Sequence, residues 1–135
     1  MSILTVQNSI ITRLESVITD LKIEAFPDSV DEYRLKHPKG ALLVQYTGSR
    51  LASPTCDDVI QQSENLQFAL TLLVKNLYGT SGAYTYIDSA KAGLTGYRLA
   101  NNLGKAYFAD IKFLDEKGGT WIYGLNLVVP SEIYG

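Results

Sequence analysis

Residues 65–75 alternate apolar and polar side chains with a period of two. Leu66, Phe68, Leu70, Leu72 and Val74 share one face, and Gln67, Ala69, Thr71, Leu73 and Lys75 share the other. That period belongs to a β-strand, because on a helix the same residues would scatter around the axis. A strand with one wholly apolar face requires partner strands beside it and a covering layer above it. The rest of the chain is read for both.

Partner strands are found by the same period. Over 41–47, Leu42, Val44 and Tyr46 point one way and Leu43 and Gln45 the other, with Gly48 and Ser49 marking an end. Residues 22–26 predict a short strand closed by Pro27. Residues 105–114 and 120–129 predict a hairpin around Asp115-Glu116-Lys117-Gly118-Gly119. In its second arm, Trp121, Tyr123, Leu125, Leu127 and Val129 form a core face, and Tyr107 joins Trp121 and Tyr123 in cross-strand aromatic packing.

The covering layer comes from helical spacing. Ile3, Val6, Ile10, Leu14, Val17 and Leu21 recur at gaps of three and four, widened by Ile11 and Ile18, and predict a helix over 3–21 capped by Ser2. Its many β-branched residues lower intrinsic propensity, so docking must hold it. Tyr84, Ile87, Lys91 and Leu94 predict a second helix, begun by Gly79-Thr80-Ser81-Gly82 and ended at Gly96. Residues 50–62 read as a long exposed connection.

The element order predicts an α+β fold, a mostly antiparallel four- to five-stranded sheet with two helices packed on one face. A chain of 135 residues is expected to form one domain, 1–135. The uncovered face would carry Leu43, Gln67, Leu73, Ile122 and Val128, which predicts burial by association.

Composition narrows function. With 46% hydrophobic and 19% charged residues the chain has material for a core. Twelve basic against fourteen acidic residues give a net charge of −2, unlike a nucleic-acid binder that acts through overall charge. No run approaches the roughly 18–20 apolar residues that span a bilayer, and no basic segment precedes an apolar block as in a secretory signal. Neither membrane association nor export is expected.

Cys56 and His37 are the sole cysteine and histidine, and Asp57 or Asp58 is near enough in sequence to orient the imidazole. No glycine-rich nucleophile turn surrounds Cys56, so both read as loop residues. Asp57-Asp58 with Glu64 makes an incomplete metal set. Arg34, Lys36, His37 and Lys39 read as a solvated cluster balanced by Asp28, Asp31 and Glu32 rather than a nucleic-acid contact. Gly79-x-x-Gly82 lacks the lysine of a phosphate-binding loop and reads as a helix cap. No enzyme activity, cofactor or metal is expected.

Four segments carry a family resemblance. Gly40-Ala41-Leu42-Leu43-Val44-Gln45-Tyr46-Thr47-Gly48-Ser49 resembles a strand of the tail proteins that Mu-like phages encode between connector and sheath genes. Gln61 or Gln62 ahead of Leu66-Gln67-Phe68-Ala69-Leu70-Thr71 resembles a second strand of that family. Gly82-Ala83-Tyr84 through Ile87-Asp88, then Gly93-Leu94-Thr95-Gly96-Tyr97-Arg98, resembles its helix, and Trp121-Ile122-Tyr123 its closing strand. Lys75 and Asn76 stand where the family often has arginine, and Leu99 where it has proline.

The resemblance implies a tail terminator of a contractile-tailed phage. Such proteins form a ring, a homohexamer, on the head-proximal end of the tail tube. The implied partners are further copies of the chain, the tube protein, the sheath protein and the neck or connector. DNA would pass through the ring without sequence-specific binding. The chain would be made in the host cytoplasm and reside in the virion. Arg50, Asp57, Asp58, Leu73 and Arg98 are the expected subunit or tube contacts. The competing readings are another neck or head-completion adaptor, the equivalent part of a phage-derived injection machine, a small Cys56–His37 enzyme, and a nucleic-acid module built on residues 34–39.

Because neither side chain has a credible partner set, Cys56→Ala and His37→Ala, together, are expected to leave assembly intact. The check is particle yield and infectivity. A double variant that folds and assembles but yields no infectious particles would overturn the non-enzymatic reading.

Overall fold

The computed structural model describes residues 2–27, 39–54 and 59–134. Its elements are α1 (Ile3–Val17), β1 (Lys22–Ala25), β2 (Gly40–Leu51), β3 (Gln61–Val74), α2 (Ala83–Leu94), β4 (Tyr107–Lys117) and β5 (Thr120–Tyr134). The strands form one sheet in the order β1-β2-β3-β5-β4. Only β1 and β2 run parallel, and every other pair is antiparallel. This is the α+β arrangement that the alternation and helical spacing predict.

The strictly alternating strand, β3, lies at the centre of the sheet. Register carries its apolar face across the sheet in rows: Ile23, Leu42, Leu72, Tyr123 and Phe113 form one, and Val44, Leu70, Leu125 and Ile111 another. Both helices cover this face, supplying Val6, Ile10 and Leu14 from α1 and Ala83, Tyr86, Ala90 and Leu94 from α2 to the same cluster. Burying side chains of this size contributes about 1.5–3 kcal/mol each before entropy is counted.

Several boundaries differ from expectation, each for a local reason. The first helix ends at Val17, with Ile18 extended at its C-cap and its N–H bonded to the Leu14 carbonyl at 2.8 Å. Val17-Ile18-Thr19 is a β-branched run, which favours extended backbone. Ile18 and Leu21 remain buried, so the apolar spacing was real while the helix was not. At the other end, Ser2 accepts the Thr5 N–H at 3.1 Å as the predicted cap.

Gly48 does not end β2. The strand bulges between Tyr46 and Gly48, where Gly48 has φ +147°, and continues to Leu51. The expected connection over 50–62 is correspondingly shorter, since β2 and β3 occupy both of its ends. Likewise the final hairpin turns on Gly118 and Gly119 alone, both at positive φ, and β5 runs on to Tyr134.

The second helix buries only part of the predicted spacing: Leu94 is fully and Ile87 partly in the core, and small residues complete the buried side. Ala83, Tyr86, Ala90, Gly93 and Leu94 face inward, while Tyr84 and Lys91 face out. Small residues set this choice because α2 lies close to α1: a Cβ on Gly93 would sit 2.8 Å from Val17 Cγ2. Gly96, at φ +75°, follows the C-cap as predicted.

The second face of the sheet is not the open apolar surface expected. Leu43 is 2% and Val128 5% exposed, and Gln67, Leu73 and Ile122 are half-buried. Part of the cover comes from β4, whose bulge between Phe113 and Asp115 brings Leu114 to 3.1 Å from a Cβ built on Gly124. Trp121, expected in the core, is half-buried at its margin.

The α1–α2 approach is testable. Gly93→Ala is expected to lower stability by about 1–2 kcal/mol through overpacking against Val17. In a Val17→Ala background the same change should be neutral or stabilising, because alanine's helix propensity then acts alone. A double-mutant cycle by denaturant unfolding measures this, and strictly additive effects would show that the contact is not tight.

Candidate assembly surface

A short turn carrying Tyr78 organises the end of the sheet where β3 meets α2. After Val74 the chain turns so that the Asn76 carbonyl accepts the Ala83 N–H at 2.9 Å and the Leu77 carbonyl accepts the Tyr84 N–H at 3.3 Å. The turn closes on Gly82, where a Cβ would lie 2.4 Å from the Tyr78 carbonyl oxygen. Only glycine fits that approach. These bonds occupy donors at the start of α2, and the Gly79 carbonyl takes the Gly82 N–H at 3.2 Å and the Thr85 hydroxyl at 2.7 Å. Gly79-x-x-Gly82 is therefore a structural cap.

The closed turn sets Tyr78 edge-on to Tyr84, ring centroids 5.4 Å apart. Tyr84 neighbours Tyr123 of β5, which meets Phe113 of β4 at 5.6 Å, and Phe113 reaches Trp121 at 6.1 Å. Five aromatic side chains from four chain segments thus form one continuous surface. Burial first, and the nearby Tyr84 and Tyr78 phenols second, hold the Tyr123 phenol above the ordinary tyrosine range. Tyr78 is 73%, Phe113 53% and Tyr84 47% exposed. The surrounding segment 76–87 contains no Asp, Glu, Lys or Arg.

The contact residues expected from sequence do not gather at one place. Arg50 is exposed near the end of β2, opposite Asn65. Leu73 sits half-buried between Ala41 and Ile122. Measured along β3, Leu73 and the Asn65 partner of Arg50 are about 26 Å apart. Arg98 bridges to Lys105 and donates Nη1–H to the Leu103 carbonyl, so it fastens its own loop. Asp57 and Asp58 lie outside the described residues, as do Cys56, His37, Arg34 and Lys36. Lys39 is described and pairs with Asp20 at 3.4 Å. Among the described residues no three His, Cys, Asp or Glu side chains cluster as metal ligands, and no helix is long and apolar enough to cross a membrane.

Sequence reasoning placed Tyr123 and Trp121 on a core face and missed the exposed cluster. The usable signal was the charge-free run around Tyr78 and Tyr84, since the centre of a protein interface is depleted of charge and enriched in tyrosine.

A family model described as Gp37 protein matches residues 10–133. The chain belongs to the Gp37 protein family. No curated protein matches its sequence. Among solved structures, this chain resembles a chain of the "Virion of native gene transfer agent (GTA) particle" with a TM-score of 0.56 and 14% identity. The likeness covers 96% of this chain and 94% of that one, and at this identity what the two share is the fold.

Arg13 and Tyr86 tie α2 to α1 and to the segment that follows it. Arg13 Nε–H donates to the Gly93 carbonyl at 2.9 Å, and its guanidinium lies 4.1 Å from the Tyr97 ring centroid. The buried Tyr86 hydroxyl donates to Asp20 Oδ2 at 3.0 Å. Burial, then the bond to Asp20, raises the Tyr86 phenol above its ordinary value of 10.0. A folded-state value above the unfolded one gives stability that is complete below pH 10 and declines as pH rises through the folded value. Tyr86→Phe is expected to cost about 1 kcal/mol at neutral pH and to flatten part of the alkaline decline. Unfolding measured from pH 8 to 12 tests this, and an unchanged alkaline slope would count against it.

Proposed function

We propose that this protein is a structural component of a virion that terminates a phage-type tail. It would sit as a ring at the head-proximal end of the tube, stop further tube addition, meet the sheath and offer its outer face to the neck. The observation that carries this reading is the fold shared, over nearly the whole of both chains, with a chain of a gene transfer agent virion. Membership of the Gp37 family supports it. So do the resembling segments, which fall on β2, β3, α2 with its C-terminal turn, and the start of β5.

The work of such a protein is geometric, and no bond need break. A head-to-tail contact whose rotation closes gives a ring with two unlike faces, one for the tube and one for the neck. A two-fold dimer presents like surfaces to both sides and cannot serve. Six subunits, a contractile tail and a Mu-like arrangement are the forms of this proposal implied by the resemblance. Arg50, Asp57, Asp58, Leu73 and Arg98 remain proposed contacts.

The same likeness to a virion chain also accommodates a neck adaptor, and one experiment separates the two. Removal of the gene is expected to give tubes of unregulated length that do not join heads, with length restored by the intact gene. Tail lengths measured by electron microscopy decide it. Tails of normal length that fail only at joining would favour the adaptor, and normal particles would overturn both.

A further inference from the structure

Arg13 is a half-buried cation without a counter-charge. Lys39, Lys91, Lys112 and Lys117 each lie within 3.7 Å of an aspartate oxygen. Among the described residues Arg13 has no such acid.

The guanidinium is nevertheless fixed. Its Nε–H is bonded to the Gly93 carbonyl, and its flat face lies on the Tyr97 ring. Tyr97 is itself held through its backbone, its N–H by the Leu94 carbonyl at 3.1 Å and its carbonyl by the Ala106 N–H at 3.0 Å. Folding has therefore already removed most of the rotamer freedom that a long side chain otherwise loses on binding. Only Nε is used. The Nη1 and Nη2 donors have no acceptor among the described residues.

Arg13 lines a cleft of about 500 Å³ between the outer side of α1 and residues 97–99. That volume falls within the range of small-molecule sites. Asn8 and Thr12 line it on successive turns of α1, and their side chains make no hydrogen bond among the described residues. An amide and a hydroxyl donor thus stand beside the guanidinium. Ser9 and Ser16 are different, because their hydroxyls donate to the Thr5 and Arg13 carbonyls. Neither Asp nor Glu lines the cleft, so its one formal charge is positive.

This set of donors selects its ligand. A planar fork matches a planar acceptor, and one cation with two neutral donors matches a single negative charge. Phosphate groups, with nearly two charges, are taken by clusters of arginine. A role confined to bonding the Gly93 carbonyl needs one donor, which lysine also supplies. We propose that this cleft binds a carboxylate, held by the Arg13 Nη groups with Asn8 and Thr12 donating beside them. A free small acid and an acidic side chain of another protein chain carry the same group. The site lies on one copy of the chain and does not depend on ring formation.

The test is an NMR titration of the ¹⁵N-labelled full-length protein at constant ionic strength, with chloride as the reference anion. The probes are acetate, a Gly-Glu-Gly peptide blocked at both ends, and inorganic phosphate. Acetate and the peptide are each expected to shift the Arg13 Nε–H and the Asn8 and Thr12 amide signals saturably. Arg13→Lys keeps the charge and loses the fork. It should weaken carboxylate binding at least about tenfold, the size of a hydrogen bond to a charged group. Asn8→Ala with Thr12→Val, at exposed positions, should weaken it about threefold or more and serves if Arg13→Lys fails to fold.

The probes also separate the sources. Peptide binding at least about threefold tighter than acetate identifies a protein side chain, and acetate as tight or tighter identifies a free acid. Phosphate binding tighter than both would overturn the carboxylate assignment. Shifts no larger than those with chloride, or equal affinity in wild type and Arg13→Lys, would overturn the site.

Discussion

The pairing of β3 with β5 holds the architecture together. It runs without a register shift from Gln61–Tyr134 to Val74–Trp121, and β3 is paired along its other edge by β2. The uninterrupted register fixes which side chains meet. A slip of one residue would send Leu66, Phe68, Leu70, Leu72 and Val74 to the wrong face and leave both helices without a floor. Everything else is arranged around this constraint. Helix α1 docks Val6, Ile10 and Leu14 on the floor it provides, α2 follows with small residues where the helices approach, and the bulges in β2 and β4 fall outside this pairing.

The fold was largely legible because it is written in periodicity. Alternation located β3, β2 and the final hairpin, and three-four spacing located both helices. What escaped were features in which one residue type has two structural uses. Gly48 reads as a strand end but serves a bulge. Ile18 and Leu21 continue a helical spacing although the β-branched run has already released the helix. On α2 the buried face was hidden because Ala83, Ala90 and Gly93 signal close approach by being small, whereas pattern reading weighs bulk. Leu43 and Val128 were placed on the correct side of the sheet, but alternation cannot show that this side is itself covered.

The candidate site was much less legible. Its aromatic side chains come from the turn after β3, the start of α2, and strands β4 and β5, so no linear motif contains them. Tyr78 and Phe113 are 35 positions apart in the sequence and meet only through Tyr84 and Tyr123. Four of the five residues picked from sequence, Arg50, Asp57, Asp58 and Arg98, were charged groups read as loop residues, which are conspicuous in a chain of low charge; the fifth, Leu73, was a strand residue. In the structure, Arg98 proves to be tied to the Leu103 carbonyl of its own loop. The more informative feature was a lack of charge, and it becomes a surface only once the sheet is assembled.

The free margins of the sheet carry a further consequence. Strand β4 lies at one margin, interrupted by bulges between Phe108 and Asp110 and between Phe113 and Asp115. Its charges are already satisfied nearby, Lys112 by Asp110 and Lys117 by Asp115. At the other margin β1 pairs with β2 from Ala41 only as far as Val44, and the part of β2 beyond it contains the Gly48 bulge. An uninterrupted, flat margin would offer its backbone to any strand of another copy and let the sheet grow into a fibre. Bent margins refuse that invitation. In the ring proposed above, copies would meet by side chains of fixed shape, which can close on themselves at a finite number, rather than by backbone, which has no reason to stop.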